Sequence, residues 1–95
     1  MMDLGLKGKV ALVAASSKGL GFGVAQALAR EGARVSMCSR SALDIQAAAT
    51  RLTDETGAET LGIACDLSQA ESIKAWIDET VTRWGVVDAL LVNNG

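Results

Sequence analysis

The residues best suited to chemistry form one glycine-rich run, residues 15–21, with the sequence ASSKGLG. It follows a short apolar stretch, residues 10–14, that is typical of a strand buried on both faces, and a helical pattern of apolar residues begins at Leu20. Backbone N–H groups converge in such a turn, the helix dipole adds positive charge, and glycine lets a diphosphate approach closely. We therefore predict that the amides between Ala15 and Leu20 surround a diphosphate; the alternative is a tight connection without a ligand.

The spacing of the glycines decides how specific this prediction is. The dinucleotide fingerprint GxGxxG is only partly met, because after Gly19 and Gly21 its third glycine position holds Val24. The pattern GxxxGxG fits better, with alanine in place of its first glycine. We expect the whole run to border a dinucleotide, and its residues are Ala15, Ser16, Ser17, Lys18, Gly19, Leu20 and Gly21.

Composition limits the possible classes of function. The chain has 95 residues, a net charge of −2 and neither histidine nor tyrosine. It is long enough for one domain, and without a basic cluster it is not expected to bind nucleic acid. No run has the length of a membrane span and no signal peptide precedes the first strand, so we expect a cytoplasmic protein without a membrane partner. The missing residue types exclude a histidine triad, a histidine metal ligand and a tyrosine acid within this sequence.

The two cysteines, Cys38 and Cys65, form neither a CxxC metal motif nor a disulfide framework. Both fall near the carboxyl ends of neighbouring predicted strands, so a bond between them stays open. Buried free thiols are the favoured interpretation.

The elements that position the glycine-rich run follow from apolar spacing. Strands are predicted at residues 10–14, 33–38, 60–65 and 89–92, with a helix in each interval. Ser41 with Asp44, and Ser68 with Glu71, have capping-box spacing and predict the starts of the second and third helices.

The order β-α-β-α-β-α-β predicts an α/β fold: a Rossmann-type doubly wound parallel sheet with strand order 3-2-1-4. Ligands bind such sheets at the carboxyl ends, where the winding reverses between the first and fourth strands. Residues 15–20 and 93–95 both fall there. Leu90, Leu91 and Val92 would leave an apolar edge, so we expect an incomplete sheet that continues in a longer polypeptide or is covered by another chain.

Three motifs in this order resemble the short-chain dehydrogenase/reductase family. Residues 14–21 are similar to its TGxxxGxG segment, Asp66-Leu67 to its acidic pair after the third strand, and residues 88–95 (DALLVNNG) to its DxLVNNAG block. The resemblance implies the cofactor-binding half of an oxidoreductase that interconverts a carbonyl and an alcohol, with a loop similar to that of 3-oxoacyl-carrier-protein reductases. It also implies a homo-oligomer, commonly a tetramer. The family's catalytic serine, tyrosine and lysine have no counterparts here, so no catalytic residue is expected in this sequence.

Within the loop, the resemblance implies contacts to the adenosine ribose and phosphates from Ala15, Ser17, Lys18 and Leu20. Ala14 and Ala15 replace the family's threonine and first glycine. If φ is negative at Ala15 the replacement is tolerated. If the position requires positive φ, we expect strain of about 1–2 kcal/mol.

The resemblance implies further cofactor contacts outside the loop. Asp66 would accept a hydrogen bond from the adenine amino group, and Leu67 would donate one from its backbone. Asn94 and Gly95 would border the nicotinamide ribose while Asn93 braces the turn. The alternatives are that the aspartate only precedes a helix cap and that the asparagines only end a strand.

The residue after the second strand bears on the choice of cofactor. An acidic side chain there would bind the ribose hydroxyls of NAD and repel the extra phosphate of NADP. The chain instead has Ser39 followed by Arg40, and Lys18 can approach from the loop. We therefore expect NADP, with NAD less favoured, unless both cations are merely solvated surface residues. The competing function is a non-catalytic nucleotide-binding or regulatory module complete in these residues. A methyltransferase is less favoured, because it would need an acidic residue near Ser39 to bind the ribose of its cofactor.

Overall fold

The structure, a computed structural model, describes residues 5–91 and alternates strands with helices throughout. The strands are β1 (Val10–Val13), β2 (Arg34–Ser39), β3 (Thr60–Ala64) and β4 (Ala89–Leu91). The helices are α1 (Gly19–Arg30), α2 (Ala42–Thr56) and α3 (Ala70–Trp84). The predicted order of elements is confirmed.

All strands run parallel in the order β3-β2-β1-β4, which confirms the predicted topology. β1 is buried along its length, with Val13 beside Met37 of β2 on one side and Leu91 of β4 on the other. Asp88 fastens the start of β4 to β1, because its N–H donates to the Val10 carbonyl and its Oδ2 accepts from the Val10 N–H, both at 2.8 Å. The carboxyl end of β1 therefore lies where the winding of the sheet reverses.

Helices cover both faces of the sheet, so the core has two layers. On one face, α1 and α2 pack on the sheet through a cluster that includes Phe22, Met37, Ile45 and Leu52. On the other face, α3 packs through a cluster that includes Leu12, Cys38, Cys65 and Trp76. Burial on both faces is what the uninterrupted apolar character of β1 predicts.

A buried polar network fixes α3 against β2. The Trp76 indole N–H donates to Ser36 Oγ at 2.9 Å, and the Ser36 and Thr80 hydroxyls are hydrogen-bonded at 2.8 Å. Thr80 also donates to the Trp76 carbonyl at 2.9 Å. Because all these polar atoms have partners, the network sets the rotation of α3 without leaving an unpaired group in the core.

The predicted helix caps have different outcomes. Ser41 caps α2 as predicted, since its Oγ accepts from the Asp44 N–H at 3.1 Å. The predicted capping box at Ser68 is wrong, because Gln69 is the N-cap of α3 and makes no side-chain cap bond. Ser68 instead donates its N–H and its hydroxyl to Oδ1 of Asp66, at 2.9 and 2.7 Å. A nearby carboxylate therefore outcompetes the helix start for this serine.

β4 leaves apolar side chains exposed at the edge of the sheet. Leu90 and Leu91 are 43% and 39% exposed, which confirms the predicted apolar edge for these two residues. Val92 lies outside the described residues.

Gly62 of β3 lies where α2 passes close to the sheet. An added Cβ would stand 2.7 Å from the Ile45 carbonyl oxygen and 3.1 Å from the Ala49 Cβ. We expect Gly62→Ala to lower the free energy of unfolding by about 1–3 kcal/mol, the usual cost of overpacking, as measured by urea denaturation. The control Gly23→Ala places its methyl in open space on α1 and should raise this free energy by about 0.5–1 kcal/mol through helix propensity. Equal effects of the two substitutions would contradict the close approach.

Candidate nucleotide-binding site

The glycine-rich loop joins the end of β1 to the start of α1 at the reversal of the sheet. Lys18 occupies the N-cap position with extended backbone angles, and neither a side-chain cap nor an acidic residue satisfies the first turn of α1. The N–H groups of that turn are therefore available to an anion among the described residues. Leu20, in the same turn, is 68% exposed although it is apolar.

Two backbone bonds and one side-chain bond fasten the loop to three strands. The Ala14 N–H donates to the Leu91 carbonyl of β4 at 2.9 Å, and the Ser16 N–H donates to the Cys38 carbonyl of β2 at 3.0 Å. The buried Ser16 hydroxyl donates to the Val13 carbonyl of β1 at 2.8 Å. Ser16 thus fixes the loop to β1 and β2, while the residues that follow it lead into the start of α1.

Ala15 adopts the left-handed conformation, with φ of 52°, and no other non-glycine residue among 5–91 has positive φ. Of the two alternatives for this position, the strained one is therefore present, at a cost of about 1–2 kcal/mol. Gly21 is required for a related reason. A Cβ there would overlap the Ala15 carbonyl oxygen and lie 3.0 Å from the Ser16 Cα, so the start of α1 rests directly against the turn.

A cavity of about 340 Å³ opens beside the loop, between α1 and α2. Among residues 5–91, Lys18 forms no salt bridge, so a cation at the edge of the cavity is not neutralised there. Arg51 is already engaged, since its guanidinium lies 4.6 Å from the centroid of the Phe22 ring and donates to Glu55 at 2.8 Å. The residues that line the cavity are Ser17, Lys18, Phe22, Asp44, Ala47, Ala48 and Arg51.

The α2 wall of this cavity was not predicted from the sequence. Asp44, Ala48 and Arg51 are separated by four and three residues, which places them on one face of a helix. That spacing was the available signal. It did not identify the wall, because the sequence alone does not say which face of α2 turns toward the loop.

The end of β2 brings the second predicted group of site residues to the same edge of the sheet. Ser39 ends the strand, and its hydroxyl donates to the Ser41 carbonyl at 3.0 Å, which shapes the connection to α2. The Cys65 N–H donates to the Ser39 carbonyl at 2.8 Å and aligns the end of β3. Arg40 is exposed, and its charge contributes to lowering the pKa of Asp66, so the two side chains are electrostatic neighbours.

Asp66 is held as a carboxylate by its own turn. The hydroxyl and then the N–H of Ser68 are the main causes that lower the pKa of Asp66, and Arg40 adds to them. Leu67, beside it, packs its side chain against the core cluster that contains Trp76. The structure thus anchors this predicted pair at the carboxyl end of β3, while its contacts to adenine remain predictions.

The last predicted group, Asn93, Asn94 and Gly95, lies outside the described residues. The last described residue of β4, Leu91, pairs with Val13 at the base of the loop. The contacts of Asn93, Asn94 and Gly95 to the nicotinamide ribose therefore remain predictions.

Cys38 and Cys65 are free and buried, as the sequence favours. Burial, together with the adjacent Cys65, raises the pKa of Cys38 to about 12, although a hydrogen bond from the Ala15 N–H opposes this rise. Cys38 is therefore a neutral thiol at physiological pH.

Within residues 5–91, the described part of the chain, no three metal-ligating side chains lie close together. None of its helices combines the length and the apolar character needed to cross a membrane.

Comparison with known proteins gives a consistent picture. A family model described as short chain dehydrogenase matches residues 9–95. Tropinone reductase-like 3 of Erythroxylum coca is 38% identical over 93 residues, which are 98% of this chain and 36% of the relative. The crystal structure of L-sorbose reductase from Gluconobacter frateurii, complexed with NADPH and L-sorbose, superposes with a TM-score of 0.94 at 33% identity, covering 99% of this chain and 36% of that one. NAD+-bound xylitol dehydrogenase superposes with a TM-score of 0.83 at 27% identity, covering 90% and 32%.

The chain thus spans about a third of the length of the curated relatives that it matches. The matching family model covers the whole glycine-rich loop and the sheet beneath it.

Replacing the strained alanine tests the geometry of the loop. Ala15→Gly removes a left-handed penalty of about 1–2 kcal/mol and adds about 0.4–1 kcal/mol of unfolded-state entropy, so we expect a net gain of about 0.5–1 kcal/mol in unfolding free energy. The control is Ala47→Gly in the exposed interior of α2, which should cost about 1 kcal/mol. Thermal or urea denaturation measures both, and a destabilised Ala15→Gly protein would contradict the positive φ.

The pKa of Asp66 tests its hydrogen bonds. Removing one donor in Ser68→Ala should raise the pKa of Asp66 toward its usual value, as followed by NMR titration. Because this pKa is lowered in the folded protein, the associated stability is present above the usual carboxyl pKa and is lost as pH falls through the lowered one. The control Ser72→Ala removes an acceptor for the Asp66 N–H and should leave the carboxyl pKa unchanged. Equal shifts of the Asp66 pKa in both variants would contradict the role of the Ser68 hydroxyl in lowering it.

Proposed function

Because the chain belongs to the short-chain dehydrogenase/reductase family, we propose that it is the NADP(H)-binding part of an oxidoreductase that interconverts a carbonyl and an alcohol. The observation that carries this proposal is the uncapped start of α1 at the reversal of the sheet, beside an open cavity. Backbone N–H groups there suit a diphosphate, and Gly21 lets the start of α1 rest directly against the left-handed turn at Ala15. Exposed Leu20 offers an apolar contact on the way to the nicotinamide.

The residues of this chain bind and orient, and the bound cofactor supplies the hydride. The first-turn amides hold the diphosphate, and Asp66, kept ionised by Ser68, accepts from the adenine amino group. A carbonyl that receives hydride also needs a proton donor. The sequence has no tyrosine and no histidine, so we place the donor and the substrate site in residues beyond this sequence. The exposed Leu90 and Leu91 would then be covered by a further strand or by another subunit of a homo-oligomer.

The preference for NADP over NAD rests on the charges at the edge of the sheet. Lys18 and Arg40 form no salt bridges among residues 5–91, and Ser39 stands where an acidic residue would repel a 2′-phosphate. Two cations at this position favour a dianionic phosphate by charge-assisted hydrogen bonds. Both cofactor types occur among the similar structures, NADPH in L-sorbose reductase and NAD+ in xylitol dehydrogenase, so the fold alone does not choose.

A non-catalytic nucleotide-binding module is the second candidate. It is favoured by one observation, the complete absence of histidine and tyrosine from the sequence. Reduction of a carbonyl by the protein with NADPH would reject it. Because no turnover is expected from these 95 residues alone under either proposal, the assay uses the full polypeptide, and tight cofactor binding there with no turnover of any carbonyl or alcohol would support the module.

The proposed cofactor preference is tested by fluorescence titration with NADPH and NADH. We expect tighter binding of NADPH, and a loss of about tenfold in NADPH affinity in Arg40→Ala and in Lys18→Ala, because each removes a charged partner of the 2′-phosphate. NADH affinity should change little. The control Arg34→Ala removes a cation that pairs with Glu59 at 3.8 Å and should leave the NADPH/NADH ratio unchanged. Equal or tighter NADH binding by the unmodified protein would overturn the preference.

A further inference from the structure

The end of β2 lacks the acidic residue that would favour NAD, because Ser39 stands there. In dinucleotide-binding folds that carboxylate binds the ribose hydroxyls of NAD and repels the extra phosphate of NADP. It acts through its place in space, so a residue on a neighbouring element can supply it equally well. Asp44 and Asp66 are acidic residues near the carboxyl edge of the sheet, and their contacts distinguish them.

Asp66 is committed to its own turn, because its Oδ1 accepts both the N–H and the hydroxyl of Ser68. Asp44, in the first turn of α2, is exposed and forms no salt bridge with any other residue among 5–91. It lines the cavity between α1 and α2, together with Ser17 and Lys18 of the glycine-rich loop. Asp44 therefore presents an uncompensated negative charge to a ligand in that cavity.

Two hydrogen bonds fix Asp44 relative to the end of β2. The Ser39 hydroxyl donates to the Ser41 carbonyl at 3.0 Å, and the Ser41 hydroxyl oxygen accepts the Asp44 N–H at 3.1 Å. Arg51, a cation on the same wall of the cavity, pairs with Glu55 at 2.8 Å instead of with Asp44. The carboxylate of Asp44 is thus held close to the strand end that lacks an acid, and its charge is retained.

We infer that Asp44 is a specificity-determining residue for the cofactor: from α2 it supplies the carboxylate that position 39 lacks, accepts a ribose hydroxyl of NAD and opposes the 2′-phosphate of NADP. The inference rests on the proposed function, because it takes the ligand of the cavity to be the adenosine ribose of the cofactor. Lys18 and Asp44 then act on the same group with opposite signs. The preference for NADP is the difference between these two effects.

Neutralising this carboxylate should widen the preference for NADPH. In Asp44→Asn we expect NADPH to bind about 3- to 10-fold more tightly, because a negative charge within a screening length of the dianionic phosphate is removed. We expect NADH to bind about 2- to 5-fold more weakly, because a neutral amide oxygen is a weaker acceptor for the ribose hydroxyl than a carboxylate. The two effects add in the ratio of the dissociation constants.

The test compares two variants of α2 in the full polypeptide by fluorescence titration with NADPH and NADH. Asp54 offers a matched control, since it is also exposed and without a salt bridge among residues 5–91, but it lines a different cavity, beside Thr60 of β3. Asp54→Asn makes the same change in net charge and should alter the ratio by less than about twofold. Equal changes in Asp44→Asn and Asp54→Asn would reject the inference in favour of a general effect of net charge.

Two further measurements separate the charge of Asp44 from its shape. Asp44→Glu keeps the charge, so its ratio should lie closer to that of the unmodified protein than to that of Asp44→Asn. Raising the salt concentration from about 0.1 M to about 1 M shortens the screening length from about 10 Å to about 3 Å, so the gain of Asp44→Asn in NADPH affinity should shrink. A gain that is unchanged at high salt, or a glutamate variant that behaves like the asparagine variant, would overturn the inference.

The results also distinguish the inference from the proposed function. If the unmodified polypeptide binds neither cofactor, the proposed function fails and the inference fails with it. If it binds NADH more tightly than NADPH, the proposed preference fails, whereas a change in ratio confined to Asp44→Asn still supports the inference. If both cofactors bind and Asp44→Asn leaves their ratio unchanged, the inference alone fails.

Discussion

Parallel pairing on both sides of β1 is the constraint on which the rest of the structure depends. Because β2 and β4 flank the same strand, the chain must cross the sheet once on each face, and the carboxyl ends of all strands meet along one edge. The loop after β1 is thereby bonded to β4 through Ala14 and to β2 through Ser16. A turn held from both sides can retain a conformation that an isolated peptide would not, and this is why a strained residue persists at Ala15.

The sequence predicted the features that depend on local patterns. The topology, the carboxyl-edge position of the loop, the Ser41 cap and the burial of both cysteines follow from apolar spacing, helix capping and chain connectivity. The alternation of short apolar strands with amphipathic helices permits few other arrangements. These predictions succeeded because each is determined by residues close together in the chain.

The features that the sequence did not predict depend on competition between distant or equivalent partners. Ser68 had two hydrogen-bonding choices, the start of α3 and the Asp66 carboxylate, and capping spacing alone favoured the wrong one. Likewise the sign of φ at Ala15 was open, because alanine permits either outcome and the neighbouring residues are fixed by bonds to the distant strands β4 and β2. The wall that Arg51 contributes to the cavity required knowing how α2 is rotated.

The bonds between Val10 and Asp88 join residues separated by 78 positions, and they have a consequence for biosynthesis. As the polypeptide leaves the ribosome, β1 can pair with β2 early, but its other flank has no partner until β4 emerges. At about 5–20 residues per second, this interval lasts about 4–16 s. During that time the apolar strand β1 has backbone amides and carbonyls without strand partners along the flank that β4 will cover.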